Sequence, residues 1–197
     1  MKPTATSVAA KRHAQGRVRV VGGSFRGRVL AVPDVSGLRP TPDRVRETLF
    51  NWLGQRVDGW HCLDAFAGSG ALGLEAASRG ATRVWLVEPH PAALRLLRQA
   101  VLALPAPQVE VVAADAARVL ADQAGADWDL VLLDPPFDVA AATAQRYEQL
   151  AAAAAAENGW IYRESPQPAE PPPGWQVWRQ GRAGAVNFAL WRRIIKP

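Results

Sequence analysis

Four short apolar runs, His61 to Phe66, Arg83 to Glu88, Val109 to Ala113 and Trp128 to Asp134, alternate along this chain with segments whose apolar residues recur at helical spacing. That alternation predicts a parallel sheet with helices on both faces, because parallel neighbours need a crossover and a helix is the usual one. Pro91 suits the first turn of the helix carrying Ala92, Leu94, Leu97 and Val101, where its missing N–H is harmless. Farther on, the alanine run Ala151 to Ala156 reads as helix, ended by Gly159 before a strand from Trp160 to Arg163. Pro166 to Pro173 is a proline-rich connection. Trp175 to Arg179 and Ala185 to Arg192 then read as two strands joined by a turn through Gln180 to Gly184. The expected architecture is α/β and doubly wound: a mostly parallel, seven-stranded sheet that finishes in an antiparallel hairpin.

A chain of 197 residues, 49% hydrophobic, is long enough for one sizeable core and too short for two ordinary domains. We divide it into a disordered tail (1–16), a basic hairpin with its connection (17–42) and a main domain (43–197). Arg17 to Val21 alternates as a strand does, Gly22-Gly23 offers a turn, and Phe25 to Val32 can return as a second strand. Asp43 can cap a helix carrying Val45, Leu49, Phe50, Trp52 and Leu53, which ends near Gly54. Residues 1–46 hold ten Lys and Arg against two Asp, a balance of +8, which leaves −3 on the remaining 151 residues. A local basic arm points to a polyanionic partner, although charge runs are often only solvated faces.

The lone Cys62 excludes an internal disulfide and reads as a buried thiol. No signal-peptide block and no membrane-length apolar run is present, so a cytoplasmic protein without membrane contact is expected. His13, His61 and His90 are too scattered to suggest a metal site.

The strongest local signal runs from Leu63 to Gly73, between an expected strand and an expected helix. Gly68, Gly70 and Gly73 satisfy a G-x-G-x-x-G pattern, whose glycines admit a ligand close to the backbone at a helix N-terminus. A dinucleotide is one reading. Asp64 opposes it, because a carboxylate beside the loop repels a pyrophosphate but favours the ammonium group of a methionine moiety. Glu88, eighteen residues beyond Gly70, stands where this architecture places an acceptor for ribose hydroxyls. Asp115, after the third run, can accept from an adenine amino group or simply cap the next helix.

Asp134-Pro135-Pro136-Phe137 would face the same crevice from the end of the fourth run. An exocyclic amino nitrogen is a poor nucleophile because its lone pair is delocalised into the base. Asp134, with a carbonyl of the proline pair, can accept both amino hydrogens and favour pyramidal nitrogen during attack. The prolines fix the loop, and Phe137 offers a face on which a flipped base can stack. The bland alternative is a strand-ending turn. The glycine loop about sixty residues earlier and the closing hairpin favour the methyltransferase variant of the fold.

From Arg17 onward the chain resembles the bacterial 16S ribosomal RNA guanine-N2 methyltransferases, the small-subunit rRNA methyltransferase D type. The matching stretches are Arg19 to Gly23 with Arg26-Gly27-Arg28, Leu38 to Leu53, Leu63 to Ala76 and Asp134 to Phe137. The resemblance implies a class I, Rossmann-like methyltransferase using S-adenosyl-L-methionine. Asp64, Phe66, Gly68, Gly70, Glu88 and Asp115 would surround the cofactor, and Asp134, Pro135, Pro136 and Phe137 the target base. Arg17, Arg19, Arg26, Arg28, Arg39 and Arg44 would contact 16S rRNA, within an assembled or partly assembled small ribosomal particle, the enzyme acting as a monomer. Thr41 and Arg46 are further candidates for closing over cofactor or RNA, or for surface ion pairs. Two departures stand out: Pro89-His90-Pro91 after Glu88, and a shortened stretch between the alanine run and Glu164. Rival readings are an adenine-N6 or protein-glutamine methyltransferase, a non-catalytic nucleic-acid-binding module, and an oxidoreductase.

Overall fold

The computed structural model describes residues 16–32 and 41–194, so the tail up to residue 15, His13 and Arg39 lie outside the described residues, while Gly16, the last tail residue, accepts from the Val32 N–H at 2.9 Å. Two short strands, β1 (Arg17–Arg19) and β2 (Val29–Ala31), pair antiparallel with Val18 opposite Leu30. Gly22-Gly23 does not form the expected tight turn. Phe25, expected in the return strand, is instead buried and held to residues of the first long helix beyond the glycine loop: its N–H donates to Ser78 Oγ at 2.8 Å. The Ser24 N–H likewise donates to the Ser78 carbonyl at 2.8 Å. Val20 still meets the return strand, its N–H donating to the Arg28 carbonyl at 2.9 Å, but the turn between them, with Ser24 and Phe25, is folded over its neighbour.

Helix α1 (Asp43–Trp52) has Pro42 at its N-cap. Asp43 does not cap it. Sitting inside the first turn, it bonds Arg46 three residues on at 2.9 Å, an ordinary spacing for one helix face. The remaining elements are β3 (His61–Asp64), α2 (Ala71–Ser78), β4 (Arg83–Val87), α3 (Pro91–Leu102), β5 (Val109–Val112), α4 (Ala116–Asp122), β6 (Trp128–Leu133), α5 (Ala141–Ala154), β7 (Ala155–Ser165), β8 (Trp175–Ala183) and β9 (Val186–Arg193). The seven strands from β3 onward form one sheet in the order β5-β4-β3-β6-β7-β9-β8, parallel through β7 and antiparallel beyond it.

Strand alternation sorts the apolar side chains onto two faces. Cys62, Leu86, Leu130, Leu132 and Tyr162 share one core with residues of the hairpin, α1, α2 and α3. Leu63, Val87, Val131, Leu133 and Ile161 share the other with α4 and α5. Burial pushes the Cys62 thiol pKa up, as its apolar setting requires.

Gly159 does not end a helix. The alanine run itself divides, Ala151 to Ala154 helical and Ala155 extended, so α5 enters β7 with no loop between them. Ala155 pairs with Trp128 and Trp160 with Leu130, so β7 takes five residues where β6 takes two. That bulge absorbs the irregular stretch. A Cβ on Gly159 would stand 2.8 Å from the Trp128 carbonyl oxygen, which is why the close approach falls on a glycine. The closing hairpin turns between Ala183 and Val186, and the expected turn residues from Gln180 to Ala183 are strand. Among the described residues, no helix is long and apolar enough to cross a membrane.

Candidate active site at the strand ends

The glycine loop leaves β3 at Asp64 and enters α2 through Gly70, whose φ of 81° is open to glycine and strained for other residues. A Cβ on Gly73 would lie 2.2 Å from Leu86 Cδ2 and 3.1 Å from Asp64 Oδ2, so the helix rests directly on β3 and β4. Asp64 is buried, and its Oδ2 accepts from the Gly73 N–H at 2.9 Å. Its Oδ1 is buried with no partner. Burial pushes the Asp64 pKa up to about 7, against the opposing pull of the Gly73 and Phe66 N–H groups and with a further push from Glu88 and Glu164.

Glu88, just beyond β4, is also buried. It braces the loop, with Oε2 accepting from Gly68 N–H at 3.0 Å and Oε1 from His90 N–H at 2.7 Å. His90 in turn caps α3 through its ring nitrogen, which gives the unusual Pro-His-Pro its local role. Asp115 is exposed and caps α4, accepting from Arg118 N–H at 3.2 Å. Phe66 meets Tyr147 edge-on at 5.0 Å. An unpartnered buried carboxylate oxygen is costly unless something donates to it. With a glycine cradle beside it and acids at the ends of β3, β4 and β5, the set of acceptors fits an ammonium, a ribose and an adenine amino group. These residues fit S-adenosylmethionine.

The other half of the edge is built differently. Asp134 follows β6 and accepts from the Thr41 hydroxyl at 3.3 Å. Pro135 is buried, while Pro136 and Phe137 are exposed, the phenyl ring 44% accessible. Burial raises the Asp134 pKa well above the ordinary carboxylate range; Glu164 and Asp64 raise it further, and the Thr41 hydrogen bond and Arg163 oppose the shift. Glu164 on β7 is buried and accepts from the Tyr162 hydroxyl at 2.8 Å. Sequence reasoning gave neither residue a role. The available signal was a run of polar side chains, Tyr162 to Ser165, ending a buried strand at the same sheet edge.

Of the candidate RNA-binding arginines, Arg17, Arg19, Arg26, Arg28 and Arg44 are exposed. Arg46 is not available to RNA or cofactor. Its guanidinium is buried, bonding the Thr41 carbonyl at 3.0 Å, the Arg19 carbonyl and Asp43, with Glu75 of α2 at 4.0 Å. Glu75 also accepts from Val21 N–H and Arg79 Nε, both at 2.8 Å. This network ties the hairpin to α1 and α2. Nor is basic surface confined to the N-terminal arm. The closing hairpin carries Arg179, Arg182, Arg192 and Arg193 with no acidic residue from Trp175 to Arg193, and Arg192 lies 3.9 Å over the Trp178 ring.

The family model described as Conserved hypothetical protein 95 matches residues 18–192. Ribosomal RNA small subunit methyltransferase D of Escherichia coli strain K12 is 41% identical over 189 residues, covering 90% of this chain and 91% of that protein. The protein of the same name from Haemophilus influenzae is 36% identical, covering 91% and 96%. The solved structure of yhhF from Escherichia coli superposes with a TM-score of 0.79 at 38% identity, covering 90% of this chain and 98% of that one. Agreement of this extent means that the chain belongs to the Conserved hypothetical protein 95 family, alongside these small-subunit ribosomal RNA methyltransferases D.

Proposed function

We propose that this chain transfers a methyl group from S-adenosylmethionine to the exocyclic N2 of a guanine in small-subunit ribosomal RNA. One observation carries the reading: Asp134, with its Pro-Pro-Phe loop, stands on the same sheet edge as Asp64 with its unpartnered oxygen, on the neighbouring strand. The cofactor, when bound, supplies a methyl group made electrophilic by its sulfonium. Asp64, Phe66, Gly68, Gly70 and Glu88 would hold it, Asp64 Oδ1 taking the ammonium and Glu88 the ribose. Asp115 would serve the adenine end besides capping α4.

Asp134 would accept a hydrogen of the target amino group and, with a carbonyl of Pro135 or Pro136, hold nitrogen as it turns pyramidal. Phe137, on the exposed tip, would stack on the extruded base. The transfer needs only near-attack placement of nitrogen and methyl, about 3 to 3.5 Å apart. Arg17, Arg19, Arg26, Arg28 and Arg44 would track phosphates, with Arg39 completing the set. The names of the relatives support an rRNA substrate. We place it in an assembled or partly assembled small ribosomal particle, met by a cytoplasmic monomer.

The test is methyl transfer from labelled S-adenosylmethionine to unmethylated small ribosomal particles and to the naked RNA, followed by nucleoside analysis. N2-methylguanosine is the expected product, formed faster on the particle. Methyladenosine would overturn the base assignment. Cofactor binding without transfer to RNA, DNA or protein would point to a binding module. Sedimentation of the purified chain at one protomer mass checks the monomer.

A further inference from the structure

We propose that Glu164 is the residue that selects guanine, its carboxylate accepting the N1–H of the target base beside the amino group held by Asp134. The inference rests on the methyltransferase reading above and names what that reading left open, the group that reads the base edge.

Strand register supplies the placement. On the parallel pair β6 and β7, Leu132 stands opposite Tyr162 and Leu133 opposite Arg163. One step further in the same register sets Asp134 beside Glu164, and partners across a parallel ladder point to the same face, with strands about 4.8 Å apart. The side chains obey this. Tyr162 shares a core with the α1 and α2 face and its hydroxyl reaches Glu164, two residues on, at 2.8 Å. Arg163, between them, turns the other way and bonds Glu148 of α5 at 2.9 Å. Thr41 completes the arrangement on the Asp134 side, donating to that carboxylate at 3.3 Å.

Two carboxylates are thus set side by side, each held by a neutral hydroxyl. Among the described residues no guanidinium forms an ion pair with either: Arg163 is committed to Glu148, and Arg46 to Asp43 with Glu75 beyond it. Carboxylates set side by side, one buried and one half-buried, repel, and such a pair is stabilised by donors brought to it. Burial raises both pKa values, and Glu164 raises that of Asp134 further.

The nucleobases differ in what they offer to such a pair. Guanine presents N1–H next to its exocyclic N2–H, two donors on one edge. Adenine presents its amino group next to N1, and cytosine next to N3, each a bare acceptor at neutral pH. Two adjacent acceptors therefore match guanine, whereas adenine or cytosine would set a ring lone pair against the Glu164 carboxylate. A site built to hydrogen-bond one group rejects an analogue that leaves a buried partner unpaired.

The test uses small ribosomal particles reconstituted with guanine or 2-aminopurine at the position the wild-type enzyme methylates. 2-Aminopurine keeps the 2-amino group but has an unprotonated N1. Wild type should favour guanine by about 100-fold or more in kcat/KM. Glu164→Gln should shrink that ratio below about tenfold, losing activity on guanine and gaining on 2-aminopurine, whose N1 can accept from the new amide. Retained cofactor affinity would show that this variant is folded. Tyr162→Phe, which only frees the Glu164 carboxyl, should lower the ratio less. Wild type using both bases alike would overturn the proposal. So would a Glu164→Gln variant that loses equally on both, since Glu164 would then merely support Asp134. If wild type methylates neither base, the methyltransferase reading itself falls and takes this inference with it.

Discussion

Asp64 and Asp134 end neighbouring strands on one sheet edge, yet the chain holds them by different means. Asp64 is fixed by backbone from its own loop and helix: Gly73 N–H bonds one oxygen from nine residues away, and Gly70 and Gly73 let that helix rest on the strand. Asp134 is fixed by a side chain from far away, the hydroxyl of Thr41 ninety-three residues earlier, and has the Glu164 carboxylate of the next strand beside it. Backbone donors are rigid and indifferent to side-chain identity, which suits a cofactor that does not change. Side-chain donors can be substituted one at a time, which suits recognition of one particular base.

The largest expected effect breaks the two halves apart. Asp134→Ala should lower methyl transfer by about 10²- to 10⁴-fold, the range for removing a positioned acid–base group. Cofactor affinity, measured by calorimetry, should stay within about twofold, because the Asp64 half is built without it. Equal loss of both would mean that the halves are one unit and that Asp134 also holds cofactor.

Next comes the network beneath the side-chain half. Arg46 bonds the carbonyl of Thr41, so it positions the hydroxyl that Asp134 uses. Burial lowers its pKa while Glu75 and Asp43 oppose the shift, the pattern of a buried cation that depends on its partners. Removing one partner of a buried pair costs about 3 to 5 kcal/mol. Arg46→Met should fall near the low end, about 3 kcal/mol in denaturant unfolding, because Glu75 keeps Arg79 and the Val21 N–H. Transfer should weaken more than cofactor binding. A variant as stable as wild type would show that the hairpin docks without this ion.

The same difference governs what could be read from sequence. Asp64, Gly68, Gly70 and Glu88 were legible because their partners lie within the one continuous stretch from β3 to the start of α3, and short-range spacing carries that information. Asp134 was legible by its own chemistry, but Glu164 and Tyr162 were not, since nothing in the spacing says that β6 and β7 are neighbours in that register. Arg46 lay in a recognisably special stretch, but its burial depends on Glu75 of another helix. Phe25 left its expected strand for a similar reason: its partner, Ser78, is fifty-three residues away. The alanine run failed differently. Local propensity made it helix to the end, and pairing of Ala155 with Trp128 ended the helix instead.

A smaller effect sharpens the account of Asp64. Its pKa is about 7 in the fold against 3.8 ordinarily. A raised carboxyl pKa means that the fold disfavours the ionised form. The group therefore destabilises the chain increasingly as pH rises from about 4 to 7, and that penalty is relieved as pH falls through 7. Binding an ammonium group requires the ionised form. Cofactor affinity should therefore drop by up to about tenfold per pH unit below 7, even as the chain without cofactor gains stability from this residue. Calorimetry at about pH 6 and about pH 8 checks it. Asp64→Asn should bind weakly and without that dependence; a dependence that survives the substitution would assign the titration to another group.

The smallest effect concerns surface that belongs to neither half. Arg26 and Arg28 are exposed on the segment that folds over the C-terminal end of α2 around Ser78, whereas the glycine loop stands at the N-terminal end of that helix. Substituting them should leave the rate at saturating RNA unchanged and act on binding alone. Each phosphate left without its arginine flattens the plot of log affinity against log salt by about 0.7 to 0.9. Arg26→Ala with Arg28→Ala should therefore lower the slope by about 1.5, and affinity by a similarly modest amount at low salt. Arg179→Ala with Arg182→Ala on β8 is the matched comparison, because those arginines lie on a strand with no acidic neighbour. A slope that changes only for the β8 pair would move the RNA track to the closing hairpin. A slope that changes for both pairs means that RNA spans the molecule from one hairpin to the other, with Asp134 and Glu164 on the sheet edge it crosses.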